Sequence, residues 1–426
     1  GESIKVVMEK PEKEGSVSSF QALMVSTASR VGTGNIVGVS TAICLGGPGA
    51  CFWMWLMCII GASSAFIEST LAQIYKRKDS DGHPYGGPAY YIQMGLKQHK
   101  IAILFCLFLI ATYAVGFNLL CSYNLQSTFS GYGFYNPEIT PWIIGLVLAL
   151  LVGFCLFGGG KRVIKVTSFM VPIMGVVYIL VALLIVIMNI KTIPEVFTRI
   201  FTEAFDLKAI FGGFSGSCVM YGIKRGLFSN EAGVGSAPNA SASAEVSHPV
   251  KQGLVQVLSV FIDTLLVCSA TAFMCMASGI EPTAKLSGAP YVQASISAVL
   301  GEAGPIFITV AMILFAFTTL LGNLFYVDKA FCYILGKNPG KLFNTVYYIV
   351  ASLLILLGAV LSADLLWNIA DVTMGAMTII NMPVIIYLSK YALRALNDYT
   401  AQRKQGRKPV FKASNINLPH KTDYWN

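Results

Sequence analysis

The residues with the clearest chemistry lie in Val31-Gly32-Thr33-Gly34-Asn35-Ile36-Val37-Gly38, inside an apolar run that begins near Ser19. Glycines at 32, 34 and 38 break a helix that the flanking residues would otherwise continue, since Gly costs about 1 kcal/mol against Ala in a helix interior. An interrupted helix leaves N–H groups unpaired on one side of the break and C=O groups on the other. The N–H groups of Thr33, Gly34 and Asn35 suit a carboxylate, and Gly lets a ligand approach the backbone. The carbonyls that precede them suit a small cation. The competing reading is a Gly-rich face for close helix packing.

The elements that carry this stretch are set by composition. The chain has 426 residues, 55% of them hydrophobic and only 12% charged, with a mean hydropathy of +0.66. A soluble domain carries about 25% charged residues, so this is an all-α polytopic membrane protein embedded in a lipid bilayer. Most of the ten cysteines fall in apolar runs without CxxC or Cys/His spacing and read as small buried residues.

Ten spans are expected: 19–45, 49–75, 101–128, 141–158, 164–189, 206–224, 249–278, 304–333, 342–361 and 363–389. Short interfacial helices are expected near Ala89–Gly95 and Ala289–Leu300. Residues 1–18 form a polar N-terminal segment and 394–426 a basic tail. With the N-terminus inside, only Lys191, Arg199, Lys208 and Lys285 fall in outer loops, Arg30 falls in a span, and the rest of the 30 Lys and Arg face the cytoplasm. The net charge of +9 is therefore a topology signal and calls for no nucleic-acid partner. The spans divide into repeats at 19–189 and 206–389, and five spans per repeat invert one half against the other. Each half opens on a Gly-rich helix, the second through Gly212-Gly213-Phe214-Ser215-Gly216-Ser217. Broken helices at matching positions of two halves point to a transporter binding site.

Several longer stretches resemble the alanine/glycine:cation symporter family. They are Val31–Asn35 with Gly46-Gly47-Pro48-Gly49-Ala50-Cys51-Phe52-Trp53-Met54-Trp55, Gly86-Gly87-Pro88-Ala89-Tyr90-Tyr91, Lys224–Pro238 and Val260–Thr264. The resemblance implies a LeuT-type five-plus-five inverted repeat with discontinuous first and sixth helices, in the cell membrane of a bacterium or archaeon. It implies a monomeric carrier that imports small neutral amino acids, chiefly alanine and glycine, with sodium as coupling ion and no organic cofactor. Family members usually carry one more helix ahead of the repeat, so one is expected before residue 1. The third span departs from the family's Asn-x-x-Gln-x-Asn: it reads Asn118-Leu119-Leu120-Cys121-Ser122-Tyr123-Asn124-Leu125-Gln126, and Tyr123 and Gln126 are expected at the pocket.

For a zwitterionic substrate, Thr33, Gly34 and Asn35 would take the carboxylate. Phe214, Ser215 and Gly216 would meet the ammonium, and Phe214 would cover the methyl. Trp367 would wall the pocket or sit at the interface. Carried over from the LeuT-type break, the resemblance implies a sodium site made of the carbonyls of Ala28, Val31 and Phe315 with the hydroxyls of Thr318 and Thr319. The alternative for these threonines is bonding to their own helix. Arg30 costs at least about 2.5 kcal/mol at mid-membrane and needs a partner; Asp371 is the expected one, as a gate or structural pair. Asp263, Asp328, Glu68 and Glu231 would serve in proton coupling or pair locally.

Other signals are discounted. Gly32–Gly38 has no preceding strand, Gly158-Gly159-Gly160-Lys161 lacks the rest of a P-loop, and the four histidines fall outside the spans. A membrane enzyme would need a convergent catalytic set. A passive channel would favour a continuous polar lining. A proton-coupled carrier of serine or glutamine is the nearest alternative to a sodium-coupled alanine and glycine importer.

Overall fold

The structure is a computed structural model, and it describes residues 1–11, 15–79, 82–206, 217–419 and 422–425. A short helix α1 (Glu2–Met8) precedes α2 (Ser19–Arg30), which opens on a capping box. The Ser18 N–H donates to Gln21 Oε1, and the Gln21 N–H donates to Ser18 Oγ. After Arg30 the chain leaves the helical region at Val31 and Gly32, makes a 3₁₀ turn over Thr33–Asn35, and resumes as α3 (Val37–Gly46). The Gly32 N–H donates to Asn35 Oδ1 at 2.8 Å, so the Asn35 side chain serves one amide that the break would leave unpaired.

The chain continues through α4 (Ala50–Ile74), a two-residue hairpin (β1, Arg77–Lys78; β2, Pro84–Tyr85), α5 (Pro88–Leu96) and α6 (His99–Ser127). Then come α7 (Thr140–Leu156), α8 (Gly159–Met188) and an amphipathic α9 (Ile193–Ala204). The second half contains α10 (Cys218–Asn230), α11 (Pro238–Ser243), α12 (Val250–Ala277), α13 (Ala289–Leu300), α14 (Ala303–Leu335), α15 (Lys341–Gly358) and α16 (Ala363–Lys404). Both α6 and α12 contain a π-helical turn, at Ala111–Gly116 and Ile262–Cys268.

Seven of the described helices are long and apolar enough to cross a membrane on their own. The other expected spans are the split pair α2 and α3, the shorter α7, and α10. α2 is buried over ten of its twelve residues and is the axis of the core. Phe154, Phe169, Leu180, Ile187 and Leu353 lie exposed on α7, α8 and α15. Such a belt is stable only against lipid, where every spanning backbone bond is satisfied within its own helix.

Two boundaries differ from the sequence reading. α16 runs to Lys404, because Tyr391–Lys404 holds no Gly or Pro and the first glycine comes at 406. The sixth span does not end at 224: α10 continues to Asn230, and the chain then turns through Glu231–Ala237 before α11. The expected break at Gly212–Gly216 lies outside the described residues. The interruption that the structure describes is at Glu231–Ala237, where Glu231 has φ 52°, Gly233 φ 81° and Gly235 φ 92°. Lys224 and Arg225, counted as cytoplasmic loop charges, therefore lie on a helix.

Candidate functional site

The two breaks face each other. At Gly34 a Cβ would sit 2.6 Å from Phe228 Cε1, so only Gly lets the first break approach α10 this closely. Thr33, Gly34, Gly32, Ser29 and Arg30 from the first break line a cavity of about 20 Å³. Phe117 and Cys121 of α6, Phe228 and Glu231 at the second break, and Thr319 of α14 complete it. A larger cavity of about 300 Å³ opens between Tyr132, Gln293 and Pro305, away from the breaks. The Phe228 ring packs 4.6 Å from Phe117 and 5.0 Å from Trp367, centroid to centroid. Trp367 thus backs the ring that closes the cavity.

Thr319 links α14 to the first break. Its Oγ1 lies 3.0 Å from the Ala28 carbonyl and 3.5 Å from that of Val31. A Cβ on Gly32 would fall 2.1 Å from the same oxygen. Thr318 points elsewhere: its hydroxyl lies 3.0 and 3.3 Å from the Leu314 and Phe315 carbonyls of its own helix and 3.5 Å from Met174 Sδ on α8. The structure therefore brings Ala28, Val31 and Thr319 together and leaves the Thr318 hydroxyl on its own backbone.

Asn35 is committed twice over. Its N–H donates to the Gly32 carbonyl, and its Nδ2 reaches Asp263 Oδ1 at 2.7 Å in the π turn of α12. Asp263 Oδ2 accepts from Ser229 and Thr264, each at 2.8 Å. Asn124 Nδ2 reaches Thr33 Oγ1 at 3.1 Å. Of the third-span residues it is Phe117, Cys121 and Asn124 that meet the break. Gln126 accepts from Tyr135 instead, and Tyr123 does not line the cavity. Their i, i+3/i+4 spacing from Phe117 could have identified Cys121 and Asn124. The second break is held by Asn381, whose Nδ2 donates to the Gly233 carbonyl at 2.9 Å and to Glu68 at 3.0 Å. Asp328 is partly exposed beside Lys329.

The expected pair of Arg30 and Asp371 does not form. Arg30 Nη1 donates to Gln256 at 2.6 Å on α12. Gln256 in turn donates to Ser26, one turn earlier on α2, at 3.0 Å. Asp371 instead meets Arg225 of α10 at 3.1 Å and Lys224 at 3.7 Å, and the Arg225 guanidinium sits 3.8 Å from the Trp367 ring centroid. Phe214, Ser215 and Gly216 lie outside the described residues.

Two facing helix breaks inside an apolar bundle are the architecture of a carrier, and known proteins agree. The profile of the sodium:alanine symporter family matches residues 1–413. The chain belongs to the sodium:alanine symporter family. It is 43% identical over 415 residues to the amino-acid carrier protein AlsT of Bacillus subtilis, covering 97% of this chain and 87% of that one. It is 42% identical over 412 residues to GlnT of the same organism, a probable sodium/glutamine symporter, covering 96% of this chain and 84% of the relative. Among solved structures, MhsT in complex with L-phenylalanine superposes with a TM-score of 0.57 at 12% identity, covering 86% of this chain and 89% of the other. That likeness establishes the LeuT-type fold. A member of this symporter family is a multi-pass membrane transporter of amino acids.

Proposed function

We propose that this symporter imports a small neutral amino acid, alanine or glycine, together with sodium, by alternating access within a single chain. The observation that carries the sodium reading is the approach of Thr319 Oγ1 to the Ala28 and Val31 carbonyls across the first break. Hard cations take oxygen ligands, and this set offers only oxygens. The Phe315 carbonyl, one turn away on α14, is assigned to the same ion. Thr33 and Gly34 are assigned to the substrate carboxylate. The closeness of Gly34 to Phe228 supports a small side chain. A cavity of about 20 Å³ admits roughly one water or bare ion, so Phe228 must swing away for an amino acid to enter. We assign Trp367, Arg225 and Asp371 to the outer closure. Both chain ends are placed in the cytoplasm, with repeats at 19–189 and 206–389.

One sodium entering down a membrane potential of 100 mV contributes about 2.3 kcal/mol. A tenfold sodium gradient adds about 1.4 kcal/mol, and the sum supports roughly 500-fold substrate accumulation. The test is uptake of radiolabelled alanine, glycine, serine and glutamine into proteoliposomes, with sodium and pH gradients imposed separately. Concentrative alanine or glycine uptake that needs inward sodium is the expected result. Uptake driven by a pH gradient in the absence of sodium would overturn the coupling, and a preference for glutamine would overturn the substrate.

A further inference from the structure

Thr319 and Asn323 lie one turn apart on the same face of α14, about 6 Å between Cβ atoms. Around Asn323 the structure gathers a second set of oxygens. Ser29 Oγ lies 2.7 Å from Asn323 Oδ1 and 3.1 and 3.5 Å from the two Glu231 carboxylate oxygens. Ser236 donates to Glu231 Oε2 at 2.7 Å. Glu231 is 1% exposed, opens the second helix break with φ 52°, and forms no ion pair among the described residues. Tyr113 and Tyr326 lie beside it. Both are fully buried: the Tyr113 hydroxyl is turned toward Glu231 and Ser236, and the Tyr326 hydroxyl toward Ser29.

A buried carboxylate without a cation is costly. The positive charge that acts on Glu231 is Arg30, which acts at once on Glu68 and Asp263 as well. Its Nη1 is held by Gln256, and its Nε and Nη2 have no hydrogen-bond partner among the described residues. One guanidinium cannot neutralise three ionised carboxylates. Two tyrosine hydroxyls gathered around a carboxylate, two serines and an amide oxygen make a donor set for a hard cation. With one carboxylate among neutral oxygens, the set suits a monovalent ion; divalent sites add carboxylates or retain waters.

We propose that Glu231, with Ser29, Ser236, Asn323, Tyr113 and Tyr326, forms a second sodium site, distinct from the one at Thr319. This rests on the sodium-coupled reading above. The ion would join α2, the second break and α14, so its arrival would draw both breaks together from the wall of the cavity that Ser29 and Glu231 already line.

The test is equilibrium binding of ²²Na⁺ to the purified, detergent-solubilised chain without amino acid. The wild type is expected to bind two sodium ions and Glu231→Gln one, with the remaining half-saturation little changed. Tyr326→Phe removes a single hydroxyl and is expected to weaken the second sodium roughly tenfold, which corresponds to about 1.4 kcal/mol. Should Glu231→Gln fail to fold, Tyr326→Phe and Ser236→Ala carry the comparison. The proposal falls if the wild type binds one sodium, or if Glu231→Gln keeps two. It falls equally if that variant loses only pH dependence, which marks a proton carrier, or only amino-acid affinity, which marks an ammonium contact. A wild type that binds no sodium would instead overturn the coupling reading itself.

Discussion

Arg225 on α10 meets Asp371 on α16 at 3.1 Å, with its guanidinium laid over the Trp367 ring. The same ring backs Phe228, which closes the cavity over Gly34. An ion pair between two helices of the second half is thereby tied, through two aromatic rings, to the backbone that separates α2 from α3. Opening the cavity toward this side requires the pair to part or the rings to turn.

Arg225→Gln should loosen that closure. It leaves Asp371 with Lys224 at 3.7 Å, a partner that is itself half exposed. Removing one member of a buried pair costs about 3 kcal/mol, and the remaining lysine should keep the loss below that. The expected outcome is a raised KM for uptake and faster release of bound substrate, with sodium half-saturation little altered. An unchanged KM would make the pair purely structural.

Gly34→Ala should cripple binding. Its Cβ would meet Phe228 at 2.6 and 3.0 Å, and that ring is braced by Phe117 and Trp367. Overpacking of this kind costs roughly 1–3 kcal/mol, or about one to two decades in affinity. Phe228→Leu in the same chain should recover part of it. Equal substrate affinity in Gly34→Ala and wild type would place the amino acid elsewhere.

The first break was legible because three glycines in seven residues have no other use in an apolar helix. The second was not. Gly212–Ser217 carries the denser glycine signal, whereas Glu231–Ala237 follows Lys224 and Arg225, which read as loop charges. The burial of Arg225 against α16 depends on Asp371, 146 residues away, and no local pattern reports such a partner. For the same reason Arg30 was matched to Asp371: intramembrane charges must pair, but sequence does not say which helices touch. Gln256, a neutral residue in an apolar span, gave no sign of being the acceptor.

Acid should loosen the fold at His248, which lies just before α12. Burial drives its imidazole down to about 4, although the Asp398 carboxylate lies 3.2 Å away and pulls the other way. Unfolded, the ring titrates near 6.5. Between those values the unfolded chain binds the extra proton. Stability is therefore full above about pH 6.5 and is lost progressively as pH falls toward 4. Thermal unfolding in detergent between pH 7.5 and 5 should show a falling midpoint, and His248→Gln should flatten it. Equal slopes in the two proteins would show that other groups govern the response.

The two threonines of α14 should separate cleanly. Thr319 Oγ1 reaches the Ala28 carbonyl at 3.0 Å, whereas Thr318 Oγ1 is spent on Leu314 and Phe315 of its own helix. Thr319→Ala removes an oxygen aimed at the break. A hydrogen bond or ligand to a charged group is worth about 1.5–3 kcal/mol, so the sodium concentration for half-maximal uptake should rise by roughly one to two decades. Thr318→Ala should change it by less than about threefold, because its hydroxyl faces Met174 and can be replaced by a methyl without stranding an acceptor. Gly32→Ala should mimic Thr319→Ala, since its Cβ would occupy the space of the Thr319 hydroxyl at 2.1 Å. Sodium titration of uptake in the three variants decides the matter. If Thr318→Ala shifts the curve as far as Thr319→Ala, both hydroxyls face the ion and α14 must rotate to bind it.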